Sequence, residues 1–346
     1  MITIHLLVVG TAALACGYAV SRYNTRTLRA GCIALLGALD LVAAMVLADG
    51  HRFATATLAG SGLVAAGLVY FAAVAVLSWR RRRGVAVAHA LLAAVVGWAG
   101  AEAFLIEPQW LDITHYQVRS SKITKPLRIA LLADIQTDNI GPYEQDVLRR
   151  VAEEKPDLIL FAGDYIHEEF GGRTVQVQAL NDVLRRANLK APLGCFAVRG
   201  NIDDEDWIKS FEGLEIVTAE RTRSIDLGEV RLTLLSEEDS RAASIPPCQA
   251  FRIVLGHRPD YALGDVNADL LLAGHTHGGQ VRLPFWGPII TFSTVPRSWA
   301  AGLSDIGRGR TLVVSRGIGL ERGRAPRVRF LCRPQVPIID LIPQKK

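Results

Sequence analysis

Four long apolar runs in the first 110 residues constrain this chain more than any other feature: roughly Ile2–Val20, Gly31–Leu47, Ala54–Trp79 and Val85–Ile106. Each is close to the 17–25 residues that a helix needs to cross a bilayer. A buried bundle in a soluble protein would carry polar residues on one face at helical spacing. These runs carry almost none, so residues 1–110 are expected to form a transmembrane anchor of four helices. They hold eight arginines, no lysine and four acids (Asp40, Asp49, Glu102 and Glu107), which is where most of the net charge of +5 resides. A basic excess ordinarily suggests nucleic acid. Residues 111–346, with 31 basic and 30 acidic residues, are nearly neutral and argue against that partner.

The arginines orient the anchor. Arg22, Arg26 and Arg29 lie between runs one and two, and Arg80, Arg81, Arg82 and Arg83 lie between runs three and four. With four spans both groups fall on one face, which the positive-inside rule makes cytoplasmic. The expectation is a multi-pass protein of the cell membrane whose residues 111–346 are extracytoplasmic; three or five spans would reverse the sidedness. A cleaved leader would need a charged segment before the first run, and Met1–His5 has none. Asp40 lies inside a run, where an ionisable group marks either helix packing or function.

From Leu127 the character changes, and one pattern recurs five times: a short strand-like apolar run that stops at a polar residue. Leu127–Ala133 leads to Asp134, Asp157–Ala162 to Gly163 and Asp164, and Gly194–Val198 to Arg199, Gly200 and Asn201. Phe251–Leu255 leads to Gly256 and His257, and Asp269–Ala273 to Gly274, His275, Thr276 and His277. Amphipathic helices are expected at Gln145–Glu154 and Val175–Ala187, and an edge strand at Asp112–Ile123. Alternating strands and helices indicate an α/β sandwich, in which ligands collect beyond the strand ends. Asp, Asn and His offer oxygen and imidazole donors suited to Mn²⁺, Fe or Zn²⁺. Cys195, Cys248 and Cys332 lack the paired spacing of a thiolate site.

Ala133-Asp134-Ile135-Gln136, Gly163-Asp164, Gly200-Asn201-Ile202-Asp203, Gly256-His257 and Gly274-His275-Thr276-His277 together resemble the five ordered blocks of the calcineurin-like metallophosphoesterases. Gly274–Pro284, GHTHGGQVRLP, is similar to the membrane-associated bacterial branch of that superfamily. The resemblance covers about residues 112–342. It implies a four-layer α/β sandwich of two mixed sheets between helices over residues 111–346, with two divalent metal ions. It implies Asp134 and His277 on the first ion, Asp164 bridging, and Asn201, His257 and His275 on the second. It also implies hydrolysis of a phosphomonoester, phosphodiester or pyrophosphate bond by a bridging hydroxide.

Two positions depart from the family pattern. Gln136 stands where a histidine is usual; its carbonyl can bind a hard cation, or act only through a water. Ile202 replaces the histidine that, in the family, stabilises the transition state or protonates the leaving group, so Asp203 and His167 are the remaining catalytic candidates beside Asn201. These departures keep open a second reading, a catalytically degenerate phosphate-binding sensor or scaffold.

Between Arg297 and Arg333 nine arginines stand against Asp305 and Glu321. Such a run is either a solvated face or an anion-reading loop, since arginine matches phosphate bidentately. On the second reading Arg199, Arg316 and Arg322 are candidate substrate-binding residues, and the tether suggests a lipid-linked phosphate as the phosphorylated substrate. Trp286 and Trp299 either pack or reach a membrane interface, with packing favoured. The sequence leaves the metal's identity and the oligomeric state unread.

Overall fold

The computed structural model describes residues 2–23, 25–47, 52–167, 172–321 and 325–344. Two compact units divide the chain, Met1–Ile106 with Arg322–Val328, and Glu107–Glu321 with Arg329–Lys346. In the first, α1 (Ile2–Tyr23), α2 (Arg26–Leu47), α3 (Arg52–Ser78) and α4 (Arg83–Ala101) follow one another, and a π-helical turn, Glu102–Ile106, continues the last. All four helices are long and apolar enough to cross a membrane. At 1.5 Å per residue, a helix of about 20 residues spans the roughly 30 Å hydrocarbon core. Arg22 ends α1, and Arg26 and Arg29 open α2, so these arginines extend the helices instead of forming a loop. Arginine is a good helix former, and its long stem carries the charge clear of apolar surface. The opposite connection, 48–51, lies outside the described residues.

Asp40 of α2 is buried against His5 of α1, with His5 Nε2 2.9 Å from Asp40 Oδ1. Gly62 of α3 completes this contact, since a Cβ there would fall 1.7 Å from Asp40 Oδ1. The buried acid thus lies within ion-pair distance of a side chain on a neighbouring helix.

The second unit begins with β1 (Asp112–Ser120), β2 (Leu127–Leu132), α5 (Pro142–Glu153), β3 (Leu158–Phe161), α6 (Arg173–Ala187), β4 (Cys195–Val198) and β5 (Ile216–Ala219). It continues with β6 (Arg223–Leu227), β7 (Val230–Leu234), β8 (Phe251–Leu255), β9 (Leu270–Ala273), the hairpin β10 (Arg282–Leu283) and β11 (Gly287–Pro288), then β12 (Gly302–Asp305), β13 (Thr311–Val314) and β14 (Gln335–Pro343). Two six-stranded mixed sheets result, ordered β1-β14-β2-β3-β4-β5 and β12-β13-β9-β8-β7-β6. β2 to β5 run parallel, as do β7, β8, β9 and β13. β1 is an edge strand, and β14 inserts between it and β2.

Strand alternation builds the layers. Ile129, Leu131, Leu158 and Leu160 meet Leu232, Ile253, Leu255 and Leu270 between the sheets. Ala130, Leu132, Ile159 and Phe161 face the opposite way, onto Val147, Leu148, Val151, Leu180 and Leu184 of α5 and α6. Burial on both faces is why these strands read as unbroken apolar runs. The outer face of the second sheet, with Val254, Leu271, Leu312 and Val314, is covered by Tyr261 and Ala262 of a 3-10 turn, Pro259–Leu263. The fourth layer is therefore short turns and irregular chain.

Local sequence sets the helix limits. α5 starts with Pro142, whose fixed φ suits the first turn, and Glu144 Oε2 accepts the Gly141 N–H at 2.7 Å. α6 ends at Asn188 in a left-handed conformation, φ 45°.

Candidate metal centre

Each expected ligand follows the carboxyl end of a strand. Asp134 and Gln136 follow β2, Asp164 follows β3, and Asn201 follows β4; His257 follows β8, and His275 and His277 follow β9. The first sheet supplies oxygen donors and the second supplies imidazoles. Asp134, Gln136, Asp164, His275 and His277 all have positive φ, from 30° to 69°. Non-glycine residues in this region carry strain that persists where surrounding structure enforces it, commonly at functional sites. Enforcement is visible at Gly163 (φ 90°), where a Cβ would lie 2.5 Å from Gly200 N, and at Gly200, where it would lie 2.1 Å from Asp164 Oδ1. Only glycine lets the two loops close to this distance.

Asp203 fastens these loops from below. Its carboxylate accepts the backbone N–H of Asp164, Tyr165 and Gly200, each at 2.8 Å. Burial, then the nearby Asp164 charge, raises its carboxyl to about 6 against those donors. Arg199 turns back on the same loop and donates to Asp203 O from Nε and Nη2, at 2.9 and 2.7 Å. Both residues brace the Asn201 loop in this arrangement.

Asp164, His257 and His275 form a buried group whose ligand atoms lie within 4.8 Å of one another. His257 Nε2 is 3.3 Å from Asp164 Oδ2, 2.9 Å from Asn201 Oδ1 and 3.1 Å from His275 Nδ1. His257 Nδ1 faces the Ala162 carbonyl at 2.7 Å. That carbonyl fixes the ring with Nε2 toward the cluster, as outer partners of metal-bound histidines do. Burial opposes charge on His257, but Asp164 and Asp134 overcome it and raise the ring to about 9. Burial likewise opposes ionisation of Asp164, yet His257 and the Ile202 N–H hold it below the usual carboxylate range. Burial, then His257, lowers His275 to about 3. Arg258, immediately after His257, approaches His275 Nε2 at 2.8 Å and donates to Glu237 Oε1 at 3.1 Å.

The other expected ligands are Asp134, Gln136 and His277. Asp134 accepts the His275 N–H on both oxygens at 3.0 Å, and burial raises its carboxyl to about 7. A Cβ on Gly317 would lie 3.0 Å from Asp134 Oδ2 and 3.2 Å from His277 Nδ1. Burial and Arg329 hold the His277 ring neutral, far below its ordinary value. His277 Nδ1 and Gln136 Oε1 are both buried with no hydrogen-bond partner. A carboxylate beside an unpaired imidazole nitrogen and an unpaired amide oxygen is a donor set that fits a divalent cation.

The orientation of Gln136 is fixed by residues distant in sequence. Its Nε2 donates to Glu321 Oε2 at 2.5 Å and meets His167 Nδ1 at 3.1 Å, so its carbonyl oxygen points the other way. Glu321 was not among the expected site residues; its one signal in the sequence is being one of two acids among nine arginines. Arg316 Nη2 pairs with Asp112 Oδ2 at 2.6 Å. Arg322 lies outside the described residues. Arg329 is neither solvated nor anion-facing: it is fully buried and donates to the carbonyls of Arg316, Gly319 and Cys332. Trp299 packs on the second sheet's outer core, whereas Trp286 is 65% exposed, so the packing expectation fails for Trp286. Trp286 sits in the turn between β10 and β11, where only Arg297 is recorded over its ring among the described residues.

The calcineurin-like phosphoesterase family model matches residues 127–279, a segment that contains all seven expected ligands. The uncharacterized metallophosphoesterase YkuE of Bacillus subtilis is 30% identical over 75% of this chain and 95% of its own length. The chain is a calcineurin-like metallophosphoesterase. The phosphodiesterase YaeI of Escherichia coli is 31% identical over 68% of this chain and 90% of its own. The UDP-2,3-diacylglucosamine pyrophosphatase LpxG of Chlamydia muridarum is 24% identical over 71% and 93%. As a metallophosphoesterase the chain is a metal-dependent hydrolase of phosphoric esters.

Proposed function

We propose that this metallophosphoesterase is a membrane-tethered enzyme that cleaves a phosphodiester or pyrophosphate bond in a lipid-linked substrate. The buried Asp164, His257 and His275 group, with Asn201 at its mouth, carries the reading. The four apolar helices support tethering over residues 1–110, with residues 111–346 as the catalytic part. A relative named for a diacylglucosamine pyrophosphatase supports a lipid-linked substrate. Seven arginines at one pair of helix ends support an extracytoplasmic catalytic unit.

Asp164, Asn201, His257 and His275 would hold one divalent ion, and Asp134, Gln136 and His277, with Asp164 shared, the other. Such ions polarise phosphoryl oxygens and make water a nucleophile at neutral pH. The chain's own groups do the rest. Asn201 Oδ1 faces His257, which leaves the amide NH₂ for a phosphate oxygen. Arg199 and Asp203 hold that amide in place through the loop backbone. His167, whose Nδ1 lies 3.1 Å from Gln136 Nε2, is the candidate proton donor to the leaving group in place of Ile202. Loss of the usual histidine at 202 favours substrates with good leaving groups, as pyrophosphates and aryl phosphodiesters have.

Full-length protein in detergent with Mn²⁺ should hydrolyse bis-p-nitrophenyl phosphate, and Asp164→Ala should lower the rate at least about 10³-fold. Phosphate binding without turnover in the parent protein would replace this reading with the sensor.

A further inference from the structure

The hairpin β10–β11 rises directly from the last expected metal-ligand block and ends in largely exposed apolar side chains. Phe285 is entirely exposed, Trp286 is 65% exposed, and Leu283 and Ile289 are about half exposed. Exposed apolar side chains grouped at one tip mark an interaction surface more than scattered ones do. The base, by contrast, is tightly held. Arg282 donates to the Gly278 carbonyl at 3.1 Å, the Ile289 N–H to Val281 O at 3.2 Å, and Gly279 packs so closely on Pro288 that a Cβ would lie 2.4 Å away. Past the hairpin, the Phe292 carbonyl lies 3.0 Å from His275 Nε2. Both legs of the hairpin are thus fixed to the metal-ligand loop.

The point where the chain arrives in this unit is fastened to the same base. Glu107 accepts the N–H groups of Leu331, at 2.7 Å, and of Cys332. The adjoining Phe330 hydrogen-bonds Gln280 and Arg282 at 2.9 Å each. Glu107 directly follows the helical stretch that ends the four apolar helices. Beside it, half-exposed Trp110 carries the Arg333 guanidinium 3.5 Å above its ring, and Trp286 carries Arg297 at 5.2 Å. Tryptophan with arginine is the composition of a membrane–water interface: the ring suits the headgroup zone and the cation suits anionic lipid.

We propose that the Leu283–Ile289 hairpin is a membrane-inserting anchor that seats Phe285 and Trp286 in a phospholipid bilayer and turns the metal centre toward lipid headgroups. Six residues separate Gly279 from Phe285, a reach of at most roughly 20 Å at 3.3 Å per residue. A tip at the hydrocarbon boundary then holds the expected metal-ligand loop within roughly 20 Å of that boundary, of which the headgroup layer fills about 5–8 Å. The proposal rests on the membrane-tethered reading but not on turnover.

The test uses the full-length protein in vesicles of phosphatidylcholine and phosphatidylglycerol, with Phe285→p-benzoylphenylalanine. On irradiation, adducts one phospholipid heavier should form at least tenfold more often than with the same substitution at Val175, which is exposed on α6. Because photochemistry depends on angle, a second reading uses brominated lipid. The fluorescence lost in Trp286→Phe should be blue-shifted and quenched by the bromine. Adduct yields equal at 285 and 175, with a Trp286 emission that is water-like and unquenched, overturn the proposal. Since neither readout needs catalysis, the hairpin and the enzymatic reading fail independently.

Discussion

The Gln136 amide nitrogen donates to Glu321 at 2.5 Å, and this contact leaves Gln136 Oε1 buried and unpaired. Glu321 does for the amide what an outer carboxylate does for a metal-bound imidazole: it selects the atom offered to the cation. Glu321→Ala frees the amide to flip. Affinity for one of two divalent ions should fall about 10–100-fold, the usual cost of removing an outer partner. Metal titration of the stripped protein measures it. Gln136→His should move affinity the other way.

Ile202 occupies the loop position where a histidine is usual, and its N–H holds Asp164 Oδ1 at 3.0 Å. The backbone is therefore already placed, and the side chain alone is missing. Ile202→His should raise turnover of an alkyl phosphodiester by about tenfold or more, because that leaving group needs a proton. A p-nitrophenyl ester, whose leaving group does not, should change little. The ratio of the two rates separates proton donation from a general effect on folding.

Arg329 is a buried cation neutralised by carbonyl oxygens instead of a carboxylate. It gathers the carbonyls of Arg316, Gly319 and Cys332, and so shapes the loop whose Gly317 lies against Asp134 and His277. Arg329→Met keeps much of the volume but strands those acceptors. Stability should fall by about 3–5 kcal/mol. Arg329→Lys should rescue only part of this, since an ammonium lacks the planar fork. Thermal unfolding in detergent reports both.

Asp260 fastens the return strap of the hairpin. Its carboxylate accepts from the Thr294 N–H at 3.0 Å and from the hydroxyls of Thr294 and Ser293 at 2.6 and 2.7 Å. Burial alone would raise its carboxyl, but these donors outweigh burial and hold it below its ordinary 3.8. Its stabilising contribution is therefore complete above about pH 4 and is lost as pH falls through the lower folded value. Asp260→Asn should destabilise by about 1–3 kcal/mol at pH 7. The gap between variant and parent should narrow below pH 4 and stay constant from pH 5 to 8.

The strand-end pattern was legible because each block is local: a few apolar residues, a glycine and a donor. β8 fell at Phe251–Leu255 as expected, and β2, β3, β4 and β9 each differed from expectation by one residue per shifted end. What stayed illegible depends on distant partners. Gln136 and Glu321 are 185 residues apart, and nothing in either neighbourhood names the other. The arginine stretch misled for a related reason. Charge composition cannot distinguish Arg329, inside a shell of carbonyls, from Arg327 on the surface. Trp286 was misjudged because packing is the usual fate of tryptophan, and only the fold shows it largely exposed on a hairpin, with Arg297 over its ring.

The central claim is that two ions, held by ligands from both sheets, sustain phosphoester hydrolysis. It is tested most directly by measuring phosphodiester turnover as a function of ions bound per chain, counted by elemental analysis during stepwise reloading of stripped full-length protein. Turnover should stay near zero until the first ion is bound and reach its plateau at two per chain. Full activity at one ion or none, or no activity at two, would contradict the account.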